Sequence, residues 1–331
     1  MSEKAYGVGV VGLGMGHACC PWVLKSPGCR LAAVCDNNAE RLKRSTDEFK
    51  IAGFTDYDEL LKSKDVDIVY ILTPSGLHAD MGIKAAKAGK HVIVAKPMDV
   101  SLEKCDALIE ACRKASVLCA VDFNGRFDDM QQKVRHAIDT GLFGKLVLGE
   151  ARLKWYRSNE YYAAGGWRGT WKMDGGGSLA NQTIHQIDQL QWYMGPIDSV
   201  VAAVTGIFTH PAIETEDLGM ALVRFKNGSV GTVLGTTTSP KDLCAGLEIH
   251  GADGGVQWTT STPQFFFLDQ AREQKIQRAS EIRTSVEDVA AVLNGKKKEL
   301  SISGEEGRKS IELLTGIYRS AREKREIKFP L

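Results

Sequence analysis

The chain has no run approaching the roughly 18 consecutive apolar residues of a membrane span, so no bilayer-crossing helix is expected. Neither sign of charge is in excess: 42 Lys and Arg face 41 Asp and Glu, for a net charge of about +1. That balance argues against a nucleic-acid binder built on a global phosphate-attracting field. None of the eight cysteines forms a CxxC pair, and without ligand spacing no metal site is expected. Cys19, Cys20, Cys29, Cys35, Cys105, Cys112, Cys119 and Cys244 mostly sit among apolar neighbours, and read as reduced, buried thiols of a cytoplasmic protein. Proline is scarce and no repeat or low-complexity linker is visible, so disorder is not expected. The N-terminal residues lack the apolar core and small-residue cleavage site of a signal peptide.

Glycine, by contrast, is abundant at 34 residues of 331. The length suits two domains, placed by pattern at residues 1–122 and 123–331, with the C-terminal tail a candidate to pack back on the first. The first domain alternates short apolar runs with helical patterns. Strands are expected at Tyr6–Gly12, Arg30–Cys35, Val66–Leu72, His91–Ala95 and Val117–Val121, and helices at Asn38–Phe49, His78–Ala88 and Leu102–Ala115. Buried strands alternating with helices imply an α/β fold with a doubly wound, Rossmann-type parallel sheet. Beyond Asp122 come helical patterns at Met130–Thr140, Ser178–Met194 and Glu305–Arg325. Strand patterns lie at Gly144–Lys154, Val200–Thr209, Asp217–Phe225, Val230–Thr237 and Leu247–Gly251. These imply an α+β domain with a large, open, mainly antiparallel sheet.

Gly12-Leu-Gly14-Met15-Gly16 directly follows the first strand, where glycines permit a tight turn and close approach of a pyrophosphate to a helix N-terminus. The spacing departs from GxGxxG, because His17 stands at the third glycine position. Asp36 ends the second strand about 20 residues on, where a ribose acceptor is expected. Its carboxylate would repel a 2′-phosphate, favouring NAD over NADP, although Arg41, Lys43 and Arg44 could soften that preference. Asp36 could equally cap the helix that starts near Asn37. Thr73-Pro74…His78 and Ala95-Lys96-Pro97 leave the carboxyl ends of strands, where open α/β sheets bind ligands. Helix capping or packing suits His78 better than chemistry. Lys96 is either a hydrogen-bonding or proton-transfer group at the ligand crevice or a solvated loop lysine.

In the second domain, helical spacing puts Asn181, His185, Asp188 and Trp192 on one face. That face meets a polar cleft or closes an internal hydrogen-bond network. An imidazole ordinarily titrates near neutrality, which makes His185 a candidate general base for alcohol oxidation. Tyr156, Tyr161, Tyr162, Trp167, Arg168 and Trp171 surround a glycine-rich stretch. They suit a carbohydrate ring or a packing contact. Asn124, Arg126 and Gln182 complete the candidate substrate residues.

Together these pieces resemble the Gfo/Idh/MocA oxidoreductases over nearly the whole chain. The match runs from the Gly12–Gly16 turn through Asp36, Thr73-Pro74…His78, Ala88–Pro97 and Arg126-Phe127 to the Gly-rich helix with His185 and Asp188, and on to Gly304–Ala321. The resemblance implies a dinucleotide domain, an open-sheet domain used in homodimers or homotetramers, and NAD(P)-dependent chemistry at a hydroxyl carbon of a sugar, cyclitol or sugar derivative. It implies that Lys96 and His185 handle the proton, with Asn181 beside them. Two positions depart from the family's pattern: Ala95 replaces the Glu of Glu-Lys-Pro, and Asn181 replaces an Asp four residues before His185. Both remove negative charge, and are expected to disfavour the cationic forms of Lys96 and His185 and so shift the pH optimum. The other functions compatible with the resemblance are a redox-neutral glycoside-cleaving enzyme with tightly bound NAD and a non-catalytic dinucleotide-binding regulator.

Overall fold

The computed structural model describes residues 4–164, 166–258 and 263–331. The chain falls into two compact units, Met1–Asn124 with Ile282–Arg308, and Gly125–Glu281 with Lys309–Leu331. This division differs from 1–122 and 123–331 chiefly in residues 282–308. They return to the first unit, whereas the tail beyond Arg308 belongs to the second.

The first unit is built on six strands: β1 (Tyr6–Val11), β2 (Cys29–Cys35), β3 (Ala52–Phe54), β4 (Ile68–Ile71), β5 (His91–Ala95) and β6 (Cys119–Asp122). All pair in parallel, in the order β3-β2-β1-β4-β5-β6. The strands β1 to β5 are each followed by a helix, so both faces of the sheet are covered and the central strands are apolar throughout. Val8, Val10, Ile68, Tyr70 and Ile93 form a solvent-free layer with Val23 of the helix Leu13–Lys25 and with Val286 and Val289 of the helix Ser285–Leu293. The strand order reverses beside β1, and ligands of such sheets lie at the carboxyl edge near that point. The turn after β1 and the loop after β4 are in close contact there. Gly12 has φ +90, and a Cβ on it would lie 2.8 Å from the Leu72 carbonyl carbon. Only glycine satisfies both the dihedral and the approach.

The second unit holds β7 (Leu146–Lys154), β8 (Ile197–Gly206), β9 (Leu218–Phe225), β10 (Val230–Thr236), β11 (Cys244–Gly251), β12 (Gly254–Trp258), β13 (Gln264–Phe267) and β14 (Ile327–Lys328). They form one sheet in the order β13-β12-β11-β7-β10-β9-β8-β14. Among the described residues only the β7–β10 pairing is parallel. In β9, Gly219, Ala221, Val223 and Phe225 are buried while Met220, Leu222 and Arg224 are exposed, so one face carries the core and the other is open.

The helix expected over Ser178–Met194 is in fact two pieces. Ser178–Thr183 is a π-helical turn and Ile184–Met194 is α-helical. The wide turn begins where Gly177 presses on the next segment, with its Cβ position 1.9 Å from the Glu216 carbonyl oxygen. The Glu216 carboxylate accepts the Gly177 N–H at 3.0 Å and the Leu179 N–H at 2.8 Å. Burial raises the Glu216 pKa, while those N–H groups and Tyr318 oppose the shift.

Arg126 and Asp188 supply the electrostatic core of this unit. The guanidinium donates to both Asp188 oxygens, at 2.8 and 2.7 Å, with both side chains almost wholly buried. Trp192 lies 5.3 Å from the guanidinium carbon, across its ring face. Of the two roles open to the Asp188–Trp192 face, the internal network is the one observed. Arg126, expected to contact substrate, has its guanidinium turned onto Asp188 instead. Arg126→Met should destabilise the protein by about 3–5 kcal/mol in urea unfolding, because it strands a buried carboxylate. Combining it with Asp188→Leu should recover most of the loss. A single-variant loss below about 1 kcal/mol would rule out this role for the pair.

Candidate active site

The first unit carries a dinucleotide turn. The helix Leu13–Lys25 starts directly after Gly12, and its Leu13 N–H donates to Asp36 Oδ2 at 2.7 Å. Asp36 Oδ1 accepts the Asn38 N–H at 2.8 Å. Asp36 is therefore buried against two backbone donors and ties the end of β2 to the glycine turn. It is not the cap of the next helix; Asn38 is, accepting the Arg41 N–H at 3.0 Å. Gly16 does the packing work that the fingerprint gives its third glycine: its Cβ position lies 3.0 Å from Val10 Cγ1. His17 turns away, with Nδ1 2.9 Å from Ser45 Oγ and Nε2 3.2 Å from Glu48. Gly14 and Met15 are exposed at the turn, and Arg41 flanks it, 3.7 Å from the Gly14 Cβ position. Asn37 is exposed beside Asp36. An open glycine turn, a fixed carboxylate about 20 residues on and an adjacent arginine are the chemistry that pyrophosphate and ribose require, so these residues fit NAD.

The loops after β4 and β5 are tied by His78. It is buried, with Nδ1 2.8 Å from the Pro97 carbonyl and Nε2 2.8 Å from the Thr73 carbonyl. Burial lowers its pKa against those two carbonyls. Both ring nitrogens are thus committed to backbone, which is the packing role. Asp99 completes the clamp by accepting the Ala79 N–H at 2.9 Å and the Val100 N–H at 2.7 Å. Thr73, Pro74 and Lys96 are partly exposed along these loops.

The second unit carries a polar, aromatic cluster of its own. His185 lies in the first turn of the helix Ile184–Met194 and is half-buried. Asn181 Nδ2 donates to Asp174 Oδ1 at 2.6 Å, and Asn181 Oδ1 accepts from Gln182 Nε2 at 2.6 Å. Asp174 is fully buried, and its other oxygen accepts the Gly169 N–H at 2.8 Å. The carboxylate missing at position 181 is therefore present one hydrogen bond away, on a residue that sequence spacing did not single out. Gln182 also bonds the Tyr161 hydroxyl at 2.9 Å and accepts from Arg157 at 3.0 Å. Two guanidiniums flank the Tyr161 ring, with Arg168 4.6 Å and Arg157 5.4 Å from its centroid. Arg168 also lies over Trp167, and Tyr156 is exposed nearby in sequence.

Tyr162 is buried, whereas Trp171 is exposed on one side. The Tyr162 hydroxyl pairs with Thr237 at 2.7 Å, and Trp171 meets Tyr318 edge-on at 5.2 Å. His210 and Asp217, which the sequence analysis passed over, form a buried pair at 3.0 Å beneath Arg157, whose carbonyl faces His210 Nε2 at 2.7 Å. Burial raises the Asp217 pKa, but the N–H groups of Thr209, Phe208 and His210 and the His210 ring outweigh it and leave it lowered. Asn124 lies partly exposed just after β6. Among the described residues no group of three or more His, Cys, Asp or Glu side chains could hold a metal ion, and no helix is long and apolar enough to cross a membrane.

A Rossmann unit with a formed dinucleotide turn, joined in one chain to an open-sheet unit carrying a histidine and an arginine–aromatic cluster, defines a class of dinucleotide-dependent oxidoreductases. Residues 6–123 match the model of the oxidoreductase family with an NAD-binding Rossmann fold, and residues 131–257 match the C-terminal domain of the same group. The chain belongs to the Gfo/Idh/MocA oxidoreductases. It is similar to the WlbA dehydrogenase of Bordetella pertussis, solved in complex with NADH and UDP-GlcNAcA: 31% identity, 100% of this chain and 99% of that one, TM-score 0.90. The WlbA dehydrogenase of Chromobacterium violaceum, in the same complex, is also 31% identical, over 100% and 98% of the chains, with TM-score 0.91. Myo-inositol 2-dehydrogenase of Thermotoga maritima is 26% identical over 97% of this chain and 98% of its own.

Replacing Asp36 tests the dinucleotide turn. Asp36→Ala removes a charged acceptor, worth about 1.5–3 kcal/mol. NAD affinity by calorimetry should fall roughly 10- to 100-fold, and unchanged affinity would exclude a contact from Asp36.

Proposed function

We propose that this protein is an NAD-dependent dehydrogenase of a sugar derivative, with a nucleotide-linked, acid-bearing sugar as the first candidate substrate. The observation that carries this is the full-length 31% identity to two dehydrogenases crystallised with NADH and UDP-GlcNAcA. The Arg157–Tyr161–Arg168 cluster supports it. Guanidiniums pair with carboxylate or phosphate oxygens, and aromatic faces pack on sugar rings.

NAD, when bound, supplies the two-electron acceptor for the carbinol carbon. The Gly12–Gly16 turn and Asp36 hold it, with Arg41, Asn37, Thr73 and Pro74 around them. The protein's own task is the proton. In this reading the Lys96 ammonium donates a hydrogen bond to the reacting hydroxyl, and the His185 imidazole takes its proton. Asp174 acts through Asn181, fixing the amide beside His185 and returning negative charge to a helix turn that lacks its own carboxylate.

Lys96→Ala and His185→Ala should each lower kcat by about 10²- to 10⁴-fold, with NAD affinity changed no more than a few-fold. Full turnover in either variant would remove that residue from the chemistry. Reduced-cofactor absorbance with UDP-GlcNAcA, compared with myo-inositol, tests the substrate class. Stoichiometric NADH from the nucleotide sugar supports the proposal. NADH from the cyclitol alone would replace the substrate class, and glycoside cleavage without net NADH would replace the reaction.

A further inference from the structure

Asp122 is a buried acid that none of the chemistry above uses. It is the last residue of β6, at the carboxyl edge of the parallel sheet, and is almost wholly removed from water. Its register partner on β5 is Ala95, the residue before Lys96. Register partners on adjacent strands point to the same face and lie about 4.8 Å apart. A carboxylate at 122 therefore stands beside the position where Glu-Lys-Pro would carry its own.

The groups facing Asp122 come from several elements. The Tyr70 hydroxyl on β4 donates to Oδ2, and Ser285 Oγ donates to Oδ1 at 2.9 Å. The Asn124 side chain, just after β6, also hydrogen-bonds it, and Lys96, just after β5, acts on it through charge. The Cys19 thiol lies close by, kept protonated with its pKa pushed up to about 11 by burial and then by the Asp122 charge. Of these groups, only Lys96 carries a positive charge. Burial drives the Asp122 pKa up to about 6, while Tyr70, Ser285, Lys96 and Asn124 pull against it. Above that pH the site holds a carboxylate. Two hydroxyl donors, each on its own oxygen, suit a carboxylate here.

We propose that Asp122 is a positioning residue for Lys96: from the neighbouring strand it supplies the negative charge that Ala95 does not, and so favours the charged form of the lysine. This deepens the proposed function and rests on it for its catalytic meaning, but the coupling itself does not depend on turnover. It also accounts for alanine at position 95. A glutamate there would put two carboxylates side by side on one face, which is unfavourable unless one of them is protonated.

The test is a titration of the protein without cofactor or substrate, reading the Lys96 13Cε shift, assigned with Lys96→Arg, and the Asp122 13Cγ shift. Asp122→Asn should lower the Lys96 pKa by roughly 0.5–1 unit, the range of a nearby opposite charge weakened by solvent. Adding Ala95→Glu to Asp122→Asn should restore it. Tyr70→Phe, which leaves the charge in place, should not move it. If Asp122→Asn fails to fold, Lys96→Met gives the reciprocal measurement: the Asp122 pKa should rise by a matching amount, since coupling is mutual. A Lys96 pKa unmoved by Asp122→Asn, or an Asp122 pKa unmoved by Lys96→Met, overturns the proposal. With turnover measured in parallel, the alkaline limb of the pH–rate profile should follow the Lys96 pKa through the same variants. Lost turnover in Lys96→Ala without the coupling defeats this inference alone. Coupling with full turnover in Lys96→Ala defeats the catalytic reading alone.

Discussion

A buried carboxylate must find donors, and in this protein the donors are mostly the backbone N–H groups of the loops that carry the chemistry. Asp36 holds the glycine turn through the Leu13 N–H. Asp99 holds the start of the helix His78–Lys87 through Ala79. Asp174 takes Gly169, Glu216 takes Gly177 and Leu179, and Asp217 takes Phe208 and Thr209. Each bond satisfies a buried charge and fixes a loop at once. The loops so fixed bear the glycine turn, the lysine loop, the π-helical turn and the arginine–aromatic cluster.

The same arrangement changes the meaning of the two substitutions that set this sequence apart from the family pattern. Read along the chain, Ala95 and Asn181 look like the loss of two carboxylates beside two cationic proton carriers. In space, Asp174 hydrogen-bonds Asn181, and Asp122 stands in register with Ala95 on the next strand. At both places a carboxylate is thus brought close, seven residues before Asn181 in one case and on the neighbouring strand in the other. Interactions of this kind depend on distance and burial, not on which residue supplies the oxygen.

Much of the fold was legible because its signals are local. Doubly buried strands such as Ile68–Ile71 and His91–Ala95 read as apolar runs, and the glycine turn followed by Asp36 has a mechanical reason for each residue. What was missed had weak or ambiguous local signals. β3 is a three-residue strand with glycine at its centre, and β12 opens on two glycines. The helix Ser285–Leu293 did carry a sign, since Thr284 accepts the Glu287 N–H as an S/T-x-x-E cap would. The π-helical turn was not legible: the contact at its start joins Gly177 to Glu216, 39 residues further along the chain.

The sequence alone determined the class of each unit, the dinucleotide turn and its acid, and which lysine and histidine to consider. Periodicity and motif spacing are properties of neighbours along the chain. Only the tertiary structure decided which polar side chains are committed inward: Arg126 to Asp188, His78 to two backbone carbonyls, Tyr162 to Thr237. It also placed Asp174 on Asn181 and Asp122 in register with Ala95. The physical reason is that desolvation and hydrogen-bond satisfaction are set by what folding brings within about 3 Å, and a sequence pattern does not contain that distance.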